Sequence, residues 1–306
     1  MILAAGLIAS RLVHYAALMI LFGAACFPVY TYRRLPPYPA EAAALMAWLR
    51  RVLFAAGIAA LLSGILWLGF VTATMSGSLA GMLDADNLLL VVRGTGFGRI
   101  WLVRLILIAL SLVLIPSERV SAVQGLLFLA VAAVALGSIA GTGHAGADSG
   151  PGGLLHIASD GAHLLAAGVW IGGLCALGFA LRREASGPAA EKILLRFSGV
   201  GYVAVAVIVA SGIANSWFLV GTFAGLITTP YGQALMVKLA LFFGMAGLAA
   251  ANRFWIVPGL AGTAKNGSPA IWLIRIRRHV ALEQALGFLV LAAVSVLGTM
   301  PPALQH

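Results

Sequence analysis

Charge is what this 306-residue sequence has least of: 9% of it is Asp, Glu, Lys or Arg, against 62% hydrophobic. Soluble domains carry about a quarter charged residues, so this chain has too little polar surface to face water. It reads as an all-α polytopic membrane protein. Acid is scarcer still, with nine Asp and Glu against nineteen Lys and Arg, a net charge of +10. Such a balance can mark a nucleic-acid binder, but here the basic residues stand in short clusters between apolar runs, as orientation signals do. Membrane lipid, not nucleic acid, is the expected partner. Only two cysteines occur, Cys26 and Cys175, both within apolar runs. That excludes a disulfide framework and any CxxC metal site. A basic n-region and a small-residue cleavage site are also missing, so the N-terminus reads as a first helix rather than a signal peptide. No Walker A, GxSxG, HExxH or dinucleotide fingerprint stands in a usable context, which leaves ATP-driven pumping and ordinary enzyme classes unsupported.

Long apolar runs are what the sequence does have. Eight are long enough to span a bilayer, at 10–31, 52–75, 98–115, 120–142, 158–181, 198–221, 233–251 and 280–300. They are continuous rather than alternating, which excludes a transmembrane β-barrel. Fourteen of the nineteen basic residues fall in the odd-numbered connections: Arg33, Arg34, Arg50, Arg51, Arg119, Arg182, Arg183, Lys192, Arg196, Arg253, Lys265, Arg275, Arg277 and Arg278. That side is expected to be cytoplasmic. The opposite loops hold Asp84, Asp86 and Asp148, and both termini are then periplasmic, in a multi-pass bacterial inner-membrane protein.

The chain also repeats itself. Thr95-Gly-Phe-Gly with Val103-Arg-Leu matches Thr229-Pro-Tyr-Gly with Val237-Lys-Leu. Ser10, His14, Gly23 and Cys26 recur at a constant offset of 149 as Ser159, His163, Gly172 and Cys175. Ser63-Gly-Ile recurs as Ser211-Gly-Ile, and the segment from Gln124 as the segment from Gln284. Four matches in the same order predict two tandem four-helix units, 1–150 and 151–306. Four is even, so the copies run parallel about a pseudo-twofold axis along the membrane normal.

Such an axis favours a central site built from matched residues, here His14 and His163. His156 lies two helical turns before His163, and His144 sits in the glycine-rich loop ahead of it. All four fall on the outer side. Imidazole ligates Cu, Zn, Fe and Ni, and ionisable groups inside a membrane are costly without a role. These four are the candidate metal ligands. Asp160, one turn before His163, either orients that ring as a second-shell acceptor or pairs with Arg11, Arg104 or Lys238. Arg104 and Lys238 are matched basic residues inside spans three and seven, and they either snorkel outward or face something anionic, such as a haem propionate. Cys26, Cys175 and the scattered methionines read mainly as packing, His279 as interfacial, and Glu283 as a weak candidate for an exit or proton site.

The run Asp160-Gly-Ala-His-Leu-Leu-Ala-Ala-Gly-Val-Trp-Ile-Gly-Gly-Leu, then Arg196-Phe-Ser, Thr229-Pro-Tyr-Gly, Val237-Lys-Leu and Met300-Pro, resembles the CopD/PcoD family of bacterial copper-resistance membrane proteins. The resemblance is strongest over 156–301 and extends over the whole chain. It implies a copper-handling inner-membrane protein that accepts the ion at the periplasmic face and moves it inward, alongside a periplasmic CopC-like copper protein. It implies a metal role for His163 and, through the repeat, for His14. A second expectation is a b-type haem electron carrier or copper reductase, with His14 and His163 as axial ligands and Arg104 and Lys238 on the propionates. A third is a structural or sensory subunit that binds metal without moving it.

Overall fold

The computed structural model describes residues 2–36, 38–116, 121–147, 150–183, 187–259 and 270–305; Arg119, Asp148, Lys265 and His306 lie outside the described residues. Among the described residues every element is helical, and eight helices are long and apolar enough to cross a membrane. In a bilayer only a helix or a closed barrel satisfies every backbone donor and acceptor within itself, and these apolar runs take the first solution. The helices are α1 (Ile2–Tyr32), α2 (Ala43–Ser76), α3 (Ala85–Gly94), α4 (Gly96–Leu114), α5 (Ala122–Gly137), α6 (Gly150–Arg183), α7 (Gly187–Leu219), α8 (Phe223–Thr228), α9 (Pro230–Ala251) and α10 (Ala270–Leu297). A π-helical turn, Asn252–Ile256, continues α9.

Several helices start eight to ten residues earlier than the apolar runs do: α1 at Ile2, α2 at Ala43, α6 at Gly150 and α10 at Ala270. Hydropathy marks only the stretch that must avoid water. A helix continues past it as long as its own backbone bonds persist, so Arg50, Arg51 and Arg275 ride on helical turns at the span ends.

The short helices α3 and α8 have no counterpart in the apolar pattern, and they explain the repeated T-x-aromatic-G motif. Asp84 caps α3, its carboxylate accepting from the Asp86 and Asn87 amides. Thr95 Oγ1 then donates to the Val91 carbonyl (2.7 Å) and accepts from the Gly98 amide (2.9 Å), closing α3 and capping α4 with one side chain. Thr229 does the same between α8 and α9, donating to Gly225 (2.6 Å) and accepting from Gly232 (3.0 Å). A Cβ on Gly98 or Gly232 would run into the backbone of the short helix folded against it. Each motif is therefore a helix–turn–helix corner.

Helices α1 and α6 pack together at the centre of the bundle. A Cβ on Gly23 would overlap the Gly168 carbonyl, and one on Gly172 would overlap the Met19 carbonyl and lie 2.9 Å from Gly23 Cα. A Cβ on Gly168 would in turn lie 3.9 Å from Met19 Cα, so 19 lies beside 168 and 23 beside 172, and the two helices run parallel with their backbones in contact. Small residues permit that approach, and dispersion holds it where lipid supplies no hydrophobic drive. Around this axis Trp48 of α2 stacks on Phe179 of α6, with ring centroids 4.4 Å apart. Arg196 of α7 donates to the Thr31 carbonyl.

Candidate functional site

His14 is completely enclosed. Its Nδ1 lies 3.0 Å from the Ala60 carbonyl oxygen and 3.2 Å from Ser63 Oγ, both on α2. Because a carbonyl can only accept, Nδ1 carries the proton and Nε2 the lone pair. Nε2 has no hydrogen-bond partner. The ring stacks against Trp101 of α4 (5.4 Å) and meets Trp67 of α2 edge-on (5.6 Å). Behind Trp101 stands Arg104, also 0% exposed, its guanidinium 4.4 Å from the indole centroid. Arg104 Nε donates to Ser138 Oγ (2.8 Å), and Nη2 donates to the Ser138 carbonyl and to Thr142 Oγ1 (both 2.7 Å). Arg11 covers the other side of Trp67, 4.8 Å from its centroid, and ties α1 to the end of α10 through the Gly298 carbonyl (2.7 Å).

His163 occupies the same register in the second half. Its Nδ1 is 3.0 Å from Ser211 Oγ, and it is also hydrogen-bonded to the Ile208 backbone. Ser63 and Ser211, like Ala60 and Ile208, are 148 residues apart. The repeated Ser-Gly-Ile is therefore the partner strip of each histidine: serine bonds the imidazole, and the following glycine leaves room for the ring. A Cβ on Gly64 would come 3.2 Å from His14 Cε1, and one on Gly212 would come 3.7 Å from His163 Cε1. Asp160 accepts from Asn215 Nδ2 (3.1 Å), with Lys238 and His156 within electrostatic reach. Asn215 Oδ1 is buried without a partner. His156, almost wholly buried, stacks on Phe218 (4.5 Å), and His144 stands edge-on to Tyr231 (6.1 Å).

These placements separate what the sequence grouped. Among the described residues no three His, Cys, Asp or Glu side chains come together as a metal site. Each imidazole of the matched pair turns toward the helix that follows its own, so His14 sits within α1, α2 and α4 while His163 faces α7. His163 Nδ1 meets the Ser211 hydroxyl rather than Asp160, and Asp160 is engaged by Asn215 instead. Of the ion-pair alternatives for Asp160, Arg11 and Arg104 hydrogen-bond elsewhere, and Lys238 acts on it electrostatically without a direct ion pair. The haem reading needed Arg104 to face a propionate. Its Nε and Nη2 instead donate to Ser138 and Thr142 in an enclosed site, and only Nη1 is without a partner.

Outside this cluster, Glu283 is 2% exposed and accepts from Asn252 Nδ2 (2.5 Å) in the π-helical turn. Cys26 and Cys175 are free thiols, and Met19 is a core residue at the α1–α6 crossing. Trp67, Trp101 and Asn215 were not singled out from sequence. The recurring Ser-Gly-Ile strips pointed to α2 and α7, which carry Trp67 and Asn215, and the T-x-aromatic-G repeat to α4, which carries Trp101.

Comparison with known proteins agrees with this architecture. Residues 1–154 match the family model "Copper resistance protein D-like, N-terminal domain" and residues 191–297 match "Copper resistance protein D". The chain is 32% identical to copper resistance protein D of Pseudomonas syringae pv. tomato, over 97% of each protein. It is 30% identical to inner membrane protein YebZ of Escherichia coli, over 96% of this chain and 98% of that one. It is 28% identical to copper transport protein CutJ of Bacillus subtilis, over 97% of this chain and 53% of the relative. No solved structure matches. With both halves matched by its models and full-length relatives 32% and 30% identical, the chain belongs to the copper resistance protein D family and is a multi-pass inner-membrane protein.

Proposed function

We propose that the protein accepts copper ions at its periplasmic face and passes them inward across the inner membrane. The observation that carries this reading is the group of Asp160, Asn215, His163, His156 and Lys238, carried within the membrane-spanning helices α6, α7 and α9 of a copper-resistance family member. Ionisable groups at such depth are rarely retained without an ion or proton to handle. The two four-helix halves are tandem copies about the α1–α6 axis, and the start of α6 is the periplasmic end. A periplasmic CopC-like protein is the proposed donor, and copper is cargo rather than a resident cofactor.

Replacing His163 with Ala is expected to lower copper bound by the purified protein about tenfold or more, since losing even a residue that orients a ligand costs metal affinity on that scale. Replacing His279, near the opposite end of α10, is expected to change it little. Equal copper binding by the two folded variants, measured by equilibrium dialysis and elemental analysis, would remove His163 from the site. The orientation has its own test. Alkaline phosphatase fused after residue 306 should be active, and a fluorescent protein that matures only in the cytoplasm should stay dark there. The reverse pattern would invert the pathway.

A further inference from the structure

The two halves differ most where they should be most alike. Each helix of the first half aligns with its counterpart at its own offset: at 149 Arg11 corresponds to Asp160, at 148, the offset of the Ser-Gly-Ile strips, Trp67 to Asn215, and at 134, the offset of the T-x-aromatic-G motifs, Trp101 to Leu235 and Arg104 to Lys238. The anchors of Arg104, Ser138 and Thr142, correspond to Gly298 and Pro302, which carry no side-chain oxygen. Gly298 instead receives Arg11 from the first half. Thus the first half surrounds its histidine with two permanent cations and two indoles, all at most 9% exposed. The second half surrounds its histidine with one acid, one amine and one amide, all only partly buried.

Charge decides which half can hold a metal ion. An ion at His14 Nε2 would sit in low dielectric beside Arg104 and near Arg11, with no carboxylate among the described residues paired to either. Asp160 lies one helical turn before His163 on α6, and Asn215 one turn beyond Ser211 on α7, so an ion at His163 has a carboxylate close by and an amide oxygen that has no partner. Lys238 would oppose it, but a lysine is a flexible point charge that can swing away, whereas Arg104 is fixed by three hydrogen bonds and an aromatic face.

We infer that copper is received by the second half alone, at Asp160, His163 and Asn215, with Lys238 as the built-in cation that neutralises the empty site and is displaced by the arriving ion. The first half is a locked copy whose role is to brace the bundle. This rests on the copper reading above and assigns that reading to one half. Displacement makes Lys238 a competitor of the ion: it weakens binding at rest, and its return to Asp160 helps release the ion.

The test is copper binding to full-length purified protein, with copper(I) under reductant and with copper(II), in four chains: wild type, Lys238→Met, Asp160→Asn and His14→Asn. Each is first checked for monodispersity and tryptophan emission. Lys238→Met should tighten binding and Asp160→Asn weaken it, each about tenfold, the scale on which a neighbouring charge shifts a buried equilibrium. Lys238→Met should also slow copper release into a chelator. A folded His14→Asn should bind one ion as wild type does; if it does not fold, Arg11→Gln takes its place, and copper affinity should again match wild type. Copper bound by wild type but lost in the folded first-half variant, or weakened rather than tightened in Lys238→Met, would overturn this assignment alone. No copper bound by wild type in either oxidation state would overturn the copper reading and this inference with it.

Discussion

Gly172→Val is expected to prevent the bundle from assembling, while Gly201→Val in α7 leaves it intact. A Cβ at position 172 would meet the Met19 carbonyl, Gly23 Cα and the Ala24 nitrogen, all of them backbone atoms of α1. A rotatable side chain could move aside; a helical backbone cannot without shifting the whole helix. The same atom at position 201 would point into open space. Both substitutions introduce the same β-branched side chain into a span, so intrinsic helix preference cancels between them. Overpacking a tight contact costs roughly 1–3 kcal/mol even where neighbours can adjust, and here they cannot, so about 3 kcal/mol or more is expected. Thermal melting in detergent, followed by tryptophan fluorescence, reads the difference directly. Comparable melting of the two variants would mean that α1 and α6 do not rely on this crossing. Gly23→Val should behave as Gly172→Val does, because its Cβ would overlap the Gly168 carbonyl.

The architecture was legible in the sequence because the bilayer constrains it so strongly. Twenty apolar residues in a row have few places to go, and eight such runs became eight spans. The crossing of α1 and α6 was also readable, since Gly23 and Gly172 stood at a constant offset. Two kinds of feature were not. The short helices α3 and α8 lie outside the apolar runs and are set by capping, through Asp84, Thr95, Thr222 and Thr229, which hydropathy does not see. Side-chain direction was the second. Matched histidines on adjacent helices suggested one shared centre, yet a residue's azimuth on a helix decides which neighbour it meets. His14 and His163 each point to the next helix in their own half, where Ser63 and Ser211 await them. Both histidines keep that direction while the residues around them differ, so the sequence matches were a better guide to hydrogen-bond partners than to shared chemistry.

Arg104→Ala should be among the most destabilising single substitutions in the chain, and Lys238→Ala, at the matched position, among the mildest of its buried cations. Arg104 is a large side chain with no exposed surface, so truncation leaves a cavity beside Trp101 and His14. It also strips donors from Ser138 Oγ, the Ser138 carbonyl and Thr142 Oγ1, which hold the 3₁₀ turn Ser138–Thr142 against α4. Loss of a fully buried large side chain costs about 2–5 kcal/mol, and the stranded acceptors add to it. One opposing effect must be weighed: no carboxylate is recorded against Arg104, so removing its charge relieves a desolvation cost. Arg104→Met separates the two, because it restores most of the volume without the charge or the hydrogen bonds. If packing dominates, Met should recover most of the loss; if the anchored turn dominates, Met should be nearly as damaging as Ala. The geometry favours the second outcome, since three of the contacts fix one turn that leads into α6. Lys238 is partly exposed and faces Asp160, whose amide partner Asn215 stays in place when the amine is gone. Its truncation should therefore cost under about 1 kcal/mol, the range of a single interhelical polar contact in a membrane protein. Melting temperatures of the three variants in one detergent check the ranking, and a Lys238→Ala protein less stable than Arg104→Ala would reverse the roles of the two halves.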